Sequence, residues 1–269
     1  MRLNALLSFA QSCGVLCLVL ALSPLHAATA SVFIEELSTT EVRDAVAAGR
    51  RTVIIPVGGT EQNGPHMALG KHNFRVGVLA GRIAEQLGTA LVAPVLAYVP
   101  EGRVSPPTEH MRHAGTISIP EDAFKAVLTG AALSFAQHGF TDIVLIGDSG
   151  NYQTALRDVA AKLNLQWQGG PARAHFIAEY YAAGQRPFVE KLLKAGLTAA
   201  QIGTHAGAAD TALMLAVDPR RVWPEKVVSN APGVSGDPRR ASAELGALGV
   251  DFMVQHSVAA IRRVLAFPR

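Results

Sequence analysis

An α/β fold with a mostly parallel central sheet, covered by helices on both faces, is what three observations in this 269-residue chain predict. Short β-branched apolar runs alternate with stretches of helical length. The chief runs, "RTVIIPV" and "TDIVLIG", show no polar alternation, as expected of strands buried on both faces. Each then breaks directly into a polar loop containing glycine, and in such sheets ligands sit beyond the carboxyl ends of the strands.

The first thirty residues stand apart. "MRLNALLSFAQSCGVLCLVLALSPLHAATA" has a basic start, an apolar core from Gly14 to Leu22 and small residues before Ser31, which is the pattern of a secretory signal peptide. The expectation is therefore a signal peptide at residues 1–30, one domain over residues 31–269, and a periplasmic or secreted location. Both cysteines, Cys13 and Cys17, fall in the leader, so the mature chain would have neither thiol catalysis nor cysteine metal ligands. With 24 basic and 21 acidic residues, and no Lys/Arg block interleaved with aromatics, the composition argues against nucleic acid as a partner.

The elements follow in order. Thr39–Ala48 reads as a short helix capped by Thr39 or Thr40, with Glu41 in its first turn. "RTVIIPVGG" is a buried strand, and Asn73 is placed to cap a helix from Phe74 to Leu87 that stops at Gly88. "ALVAPVLAYV" is a second strand, followed by the Pro/Gly-rich loop "PEGRVSPPTEHMRHAG". Thr116–Ile119 reads as a short strand, Glu121–His138 as a helix, "TDIVLIGDSGN" as a strand entering a glycine loop, and Tyr152–Leu163 as a helix. A strand over Ala172–Ala178 precedes an irregular region reaching Gly203, after which "DTALMLAV" is helical. Finally, Asp237 and Pro238 are expected to open a helix in which Val250, Val254, Val258, Ile261 and Leu265 share one face.

Four loop clusters carry residues capable of chemistry: Glu61, His66 and His72 in "GGTEQNGPHMALGKH"; Glu109, His110 and His113 in "TEHMRHAGT"; Asp148 in "GDSGN"; and His205 with Asp210 in "THAGAADTA". Carboxylate and imidazole side chains serve both as ligands for divalent ions and as acid/base groups. Each cluster alone is equally compatible with an ordinary polar loop or a helix cap. Together they fall at loop ends of one alternating α/β chain.

These segments also carry a resemblance to the creatininase (creatinine amidohydrolase) family. "IPVGGTEQNGPHMALGKH" resembles its opening P-x-G-x-x-E-Q-H-G-P-H loop, "EHMRHAGTISIP" its E-H-x-x-F-P-G-T segment, and "LIGDSGN" its N-G-H-G-G-N loop. "THAGAADTALML" resembles its H-A-G helix start, and "GVSGDPRRASAELG" its G-D-P segment. The resemblance implies a three-layer α/β/α sandwich and a metal-dependent amidohydrolase that cuts a C–N bond of a cyclic or small amide with metal-activated water.

Carried over by position, the resemblance implies metal ligands at Glu61, His72 and Asp148. His72 stands where the family has an Asp, and Asp148 where it has a His. Asn63 replaces a ligand His and Gly150 a ligand Glu, so one divalent ion, zinc or manganese, is expected rather than two. His205 is implied as the proton donor to the leaving nitrogen, with Asp210 assisting. Asn63, His66, Thr116 and Ser118 are implied in substrate contact or directly behind the ligands. The partner is then a small-molecule substrate, and relatives assemble as homo-oligomers, hexamers among them. The loss of several ligands at once motivates the alternative: a metal-free creatininase-like protein, serving as a periplasmic small-molecule binder or as a His/Asp acid–base hydrolase or lyase.

Overall fold

The computed structural model describes residues 31–267; the signal-peptide expectation for residues 1–30 lies outside the described residues. Four parallel strands, β1 (Thr52–Val57), β2 (Ala90–Val92), β3 (Asp142–Gly147) and β4 (Arg173–Phe176), form one sheet in the order β2-β1-β3-β4. Every residue of β1 and β3 is buried, in keeping with their unbroken apolar runs.

Side-chain alternation sends the two strand faces into two cores. Val53, Ile55, Ile143 and Leu145 pack with Phe124, Leu128, Leu156 and Val159, contributed by α3 (Glu121–Gln137) and α4 (Gln153–Gln166). Ile54, Val144 and Ile146 pack on the other side with Val76, Leu79, Phe188, Val254 and Ile261. Those residues belong to α2 (Lys71–Leu87), α6 (Pro187–Lys194) and α9 (Ala243–Leu265). Full burial of each such Ile or Val is worth about 1.5–3 kcal/mol, so the sheet is clamped between two helical layers. Among the described residues no helix is long and apolar enough to cross a membrane.

Several boundaries differ from the sequence reading. The short first helix, α1 (Thr39–Ala47), is capped by Ser38 rather than by Thr39 or Thr40: Ser38 Oγ accepts from Glu41 N–H and Glu41 returns a carboxylate to Ser38 N–H. Helix α2 begins at Lys71, and Asn73 is inside it. The Asn73 side chain instead accepts from Gly59 N–H at 2.8 Å and donates to Thr60 at 3.1 Å. Thr116–Ile119 forms no strand, because Ile117 and Ile119 make only single backbone bonds to Thr60 and Val99.

Asp237 and Pro238 open only a three-residue turn, Pro238–Arg240; α9 starts afterwards, capped by Ser242. The region expected to be irregular contains α5 (Ala178–Gln185), α6 and α7 (Ala199–Ile202), followed by α8 (Ala208–Val217).

The strand order reverses about β1: the chain passes from β1 to β2 on one side and then to β3 on the other. A crevice at such a reversal, beyond the carboxyl ends of the strands, is the usual ligand position in open α/β sheets. Here it lies between the loops leaving Val57 and Gly147.

Candidate active site

The two loops at the reversal are held together by one phenol. Tyr152 Oη accepts from Asp148 N–H at 3.1 Å and Ser149 N–H at 3.0 Å, and faces the carbonyl of Val57 at 2.9 Å. This fixes Asp148 beside the start of α2. Asp148 is fully buried: Oδ2 accepts from His72 Nδ1 at 2.6 Å and Arg75 Nε at 2.8 Å, and Oδ1 accepts from Tyr180 Oη at 2.8 Å. The other ring nitrogen of His72, Nε2, lies 2.8 Å from Glu61 Oε1. Glu61, His72 and Asp148 therefore do converge, as carboxylate, imidazole, carboxylate. Both nitrogens of the imidazole are engaged by carboxylates, so it presents no unshared lone pair to a metal ion.

Two cations extend the cluster. Lys71 Nζ is 3.2 Å from Glu61 Oε1 and 2.9 Å from Asp210 Oδ2; Arg75 reaches Asp148 at 2.7 Å and Asp210 at 3.0 Å. Asp210 is anchored in the first turn of α8, where it also accepts from Ala206 N–H at 2.9 Å. It touches Lys71 and Arg75, while its link to His205 runs through Lys71, whose Nζ is 3.5 Å from His205 Nδ1.

Burial by itself would raise all three carboxyls. The Lys71 and His72 charges hold Glu61 well below the ordinary glutamate range, Arg75 holds Asp148 down, and Lys71 and Arg75 hold Asp210 down. Burial opposes protonation of His72, but the Glu61 charge together with the hydrogen bonds to Asp148 and Glu61 outweighs it and raises His72. Three carboxylates thus meet Lys71, Arg75 and a His72 imidazolium.

A second face of Glu61 is turned toward two neutral imidazoles. His110 Nε2 is 3.3 Å from Glu61 Oε2, and His205 Nδ1 is 3.6 Å from Glu61 Oε1. The rings of His110 and His205 pack against each other tilted by 40°, with centroids 4.5 Å apart. Burial and then the Lys71 charge push His205 down to about 4, and burial lowers His110 as well. His205 Nε2 donates to the Gln62 carbonyl at 2.8 Å, which leaves the Nδ1 lone pair facing the centre. Gln62 is itself fixed, its amide donating to Gly233 O at 2.9 Å and accepting from Gly64 N–H at 3.0 Å.

His205 is positioned by backbone. It bridges to Ser235 in both directions, and Ala206 adopts a left-handed φ of 53° to turn the chain into α8. Gly203 lies so close to this segment that a Cβ there would fall 1.9 Å from Ser235 O, while in the "GVSGDP" stretch a Cβ on Gly233 would strike the Gln62 side chain and one on Gly236 the backbone of Gly207.

Ligand atoms of Glu61, His110 and His205 lie within 4.8 Å of one another. One carboxylate and two neutral imidazoles are a donor set suited to zinc or manganese. A single divalent ion fits this group on chemistry and spacing.

The remaining sequence candidates sit behind this centre. Asn63 is fully buried and donates to the carbonyls of Glu61 and Ala68 at 3.0 and 2.9 Å, bracing the loop. His66, also fully buried, bonds Thr211 through Nε2 at 3.0 Å and so ties the loop to α8. Thr116 Oγ1 accepts from Gln62 N–H at 3.1 Å, and Ser118 accepts from Glu101 N–H at 2.9 Å. Glu109 and His113 are exposed and take no part.

Lys71, Arg75 and Glu101 were absent from the sequence candidates. Glu101 is fully buried; Oε2 accepts from Asn151 at 2.7 Å, Oε1 meets no donor, and the protonated carboxyl is within hydrogen-bonding reach of Glu61. Burial and the nearby Glu61 charge push its carboxyl up to about 8. Beyond Asn151 lies an open cavity of about 870 Å³, bordered by Arg103, Thr108, Ser118 and Glu121.

A parallel α/β sheet with a Glu/His group at its reversal is an arrangement suited to a metal-site hydrolase, and comparison with known proteins places the chain. The chain belongs to the creatininase family: the family model described as creatinine amidohydrolase matches residues 35–261. It is 29% identical to creatinine amidohydrolase of Pseudomonas putida over 257 residues, covering 86% of this chain and 96% of that one. It is also 29% identical over 210 residues to the mycofactocin precursor peptide peptidase of Mycolicibacterium smegmatis, covering 73% of each. A manganese creatininase structure superposes with a TM-score of 0.73 at 26% identity, over 88% of this chain and 100% of that one. A creatininase variant of Zn-Zn type gives the same TM-score at 25% identity, over 88% and 99%.

Proposed function

We propose that this chain hydrolyses a C–N bond of a cyclic or small amide with one divalent ion, zinc or manganese, held by Glu61, His110 and His205. The observation that carries the reading is the convergence of these three ligand atoms within 4.8 Å at the sheet's reversal point. An ion bound there would supply Lewis acidity for the amide carbonyl and acidify a water molecule. His72 and Lys71 keep Glu61 ionised, and Gln62 keeps the His205 lone pair turned inward. Asp148, with Arg75, locks the His72 ring. In this reading His72 and Asp148 support the ligand Glu61 rather than ligating themselves.

Creatinine is the substrate in the name of one relative and a peptide in that of another. The test is turnover of lactams, cyclic ureides and short peptides by protein loaded with zinc or manganese. Ion-dependent activity that falls at least a hundredfold in His110→Ala is the expected result; ion-independent activity would end the reading.

One observation favours a second reading. The three carboxylates are already balanced by Lys71, Arg75 and His72, so the centre is complete without a divalent ion. His205, its Nδ1 facing Lys71 and Glu61, would then act as acid and base alone. Elemental analysis of protein purified without chelators separates the two: about one bound ion per chain supports the first, and none supports the second. Secretion and homo-oligomeric assembly complete the proposal; cell fractionation and light scattering test them.

A further inference from the structure

Lys71 opens α2 from a loop expected to present ligands, yet its ammonium is only 1% exposed. Around Nζ stand Glu61 Oε1 at 3.2 Å, Asp210 Oδ2 at 2.9 Å and His205 Nδ1 at 3.5 Å. Two carboxylate oxygens and an imidazole nitrogen are what a divalent cation takes from a protein. Here a side chain of the protein fills that position. Among the neighbouring described residues, His72 has both nitrogens engaged, and Asn63 donates its amide N–H groups to backbone carbonyls while its buried Oδ1 has no hydrogen-bond partner.

We propose that the Lys71 ammonium is a resident cation in the place of a second metal ion, limiting the centre to one divalent ion and competing with that ion for Glu61 and His205. The limit follows from occupancy, since the volume and two of the donors are taken. The competition follows from charge, because two cations sharing one buried carboxylate repel at short range in a medium that screens poorly. The competition rests on the one-ion reading above; the occupancy does not. Lys71 is thus a positioning residue that tunes how tightly the centre holds metal.

The test is calorimetric titration of chelator-stripped protein with zinc and with manganese, comparing the wild type with Lys71→Met and Lys71→Arg. The expected result is at most one equivalent in the wild type, and in Lys71→Met either binding at least tenfold tighter or one additional equivalent. Lys71→Arg, which keeps the charge, should resemble the wild type. Two equivalents in the wild type, or a Lys71→Met variant with unchanged affinity and stoichiometry, would overturn the proposal.

A wild type that binds no ion beside a Lys71→Met variant that binds one would end the one-ion reading and support the resident cation. Removing Lys71 also strips Glu61 and Asp210 of a counter-charge, so the variant's folding is followed in the same titration. Folding that requires zinc supports the proposal; a chain still unfolded at saturating zinc counts against it.

Discussion

Asp148 is the residue on which the centre turns, because its two oxygens collect His72, Arg75 and Tyr180 with no access to water. Replacing it by asparagine would take one of two carboxylate partners from each of two buried cations, leaving Arg75 with Asp210 and His72 with Glu61, and breaking a buried pair from one side costs about 3–5 kcal/mol. Urea unfolding of Asp148→Asn should show that loss; a change under about 1 kcal/mol would mean the network is not intact in solution.

Glu101 makes a pH-dependent claim. Its carboxyl is raised from 4.5 to about 8 in the folded chain, so the proton is held more tightly there than in the unfolded chain. Its stabilisation is complete below pH 4.5 and lost as pH climbs toward 8. His205 runs oppositely: depressed from 6.5 to about 4, its contribution is complete above 6.5 and lost as pH falls toward 4. The two oppose each other between 4.5 and 6.5, and from 6.5 to 8 that of Glu101 stands clear of His205. In metal-free protein the Tm should therefore fall from pH 6.5 to 8, and Glu101→Gln should flatten the part of that slope due to Glu101. Parallel Tm profiles for the two proteins would refute the assignment.

At this scale the sequence showed Glu61, His72, Asp148, His205 and Asp210, since carboxylates and imidazoles in glycine loops stand out. Lys71 and Arg75 did not. Lys71 reads as a basic loop residue before the expected helix and Arg75 as a basic residue in its first turn, both of a kind usually solvated, and their burial is set by Asp210, 139 and 135 residues further along.

Among the elements, the one that positions the chemistry is the turn from β3 into α4, and its working part is Tyr152. The phenol takes two backbone N–H groups and faces the carbonyl of Val57 from the neighbouring strand. Tyr152→Phe keeps the ring packing against Phe124 but orphans buried polar groups on both loops. A loss of about 1–3 kcal/mol is expected, read by chemical denaturation, with faster amide exchange at Asp148 and Ser149. Unchanged exchange there would show that the loops hold without the phenol.

Strands and long helices were legible because apolar runs and capping residues are local signals. Thr116–Ile119 was misjudged because β-branched residues satisfy strand propensity without a partner edge. The helix expected at Asp237 began later because that aspartate closes a single turn, accepting from Arg239 N–H at 3.2 Å, while Ser242 supplies the cap five residues on.

The whole molecule brings the loops after β1 and β3 to one point by reversing strand order at β1, and that order is not encoded in any local pattern. Alternation of strands and helices predicted a parallel sheet with chemistry at one edge; the neighbours of each strand depend on crossovers that only the packed layers decide. The same packing closes the charge balance of the centre with side chains alone: Glu61, Asp148 and Asp210 against Lys71, Arg75 and His72. A fold whose buried carboxylates waited for metal would come apart when the metal is removed, as uncompensated buried charge is among the most destabilising features a core can hold.

This one should not. Chelator-treated protein is expected to keep its near-UV circular dichroism and to unfold in a single cooperative step. Added zinc should then raise stability only by mass action, about 2.7 kcal/mol at a hundred times the dissociation constant. A metal-free chain that loses its tertiary signal, or a zinc effect far larger than mass action allows, would show that Lys71, Arg75 and His72 do not carry the charge of the centre on their own.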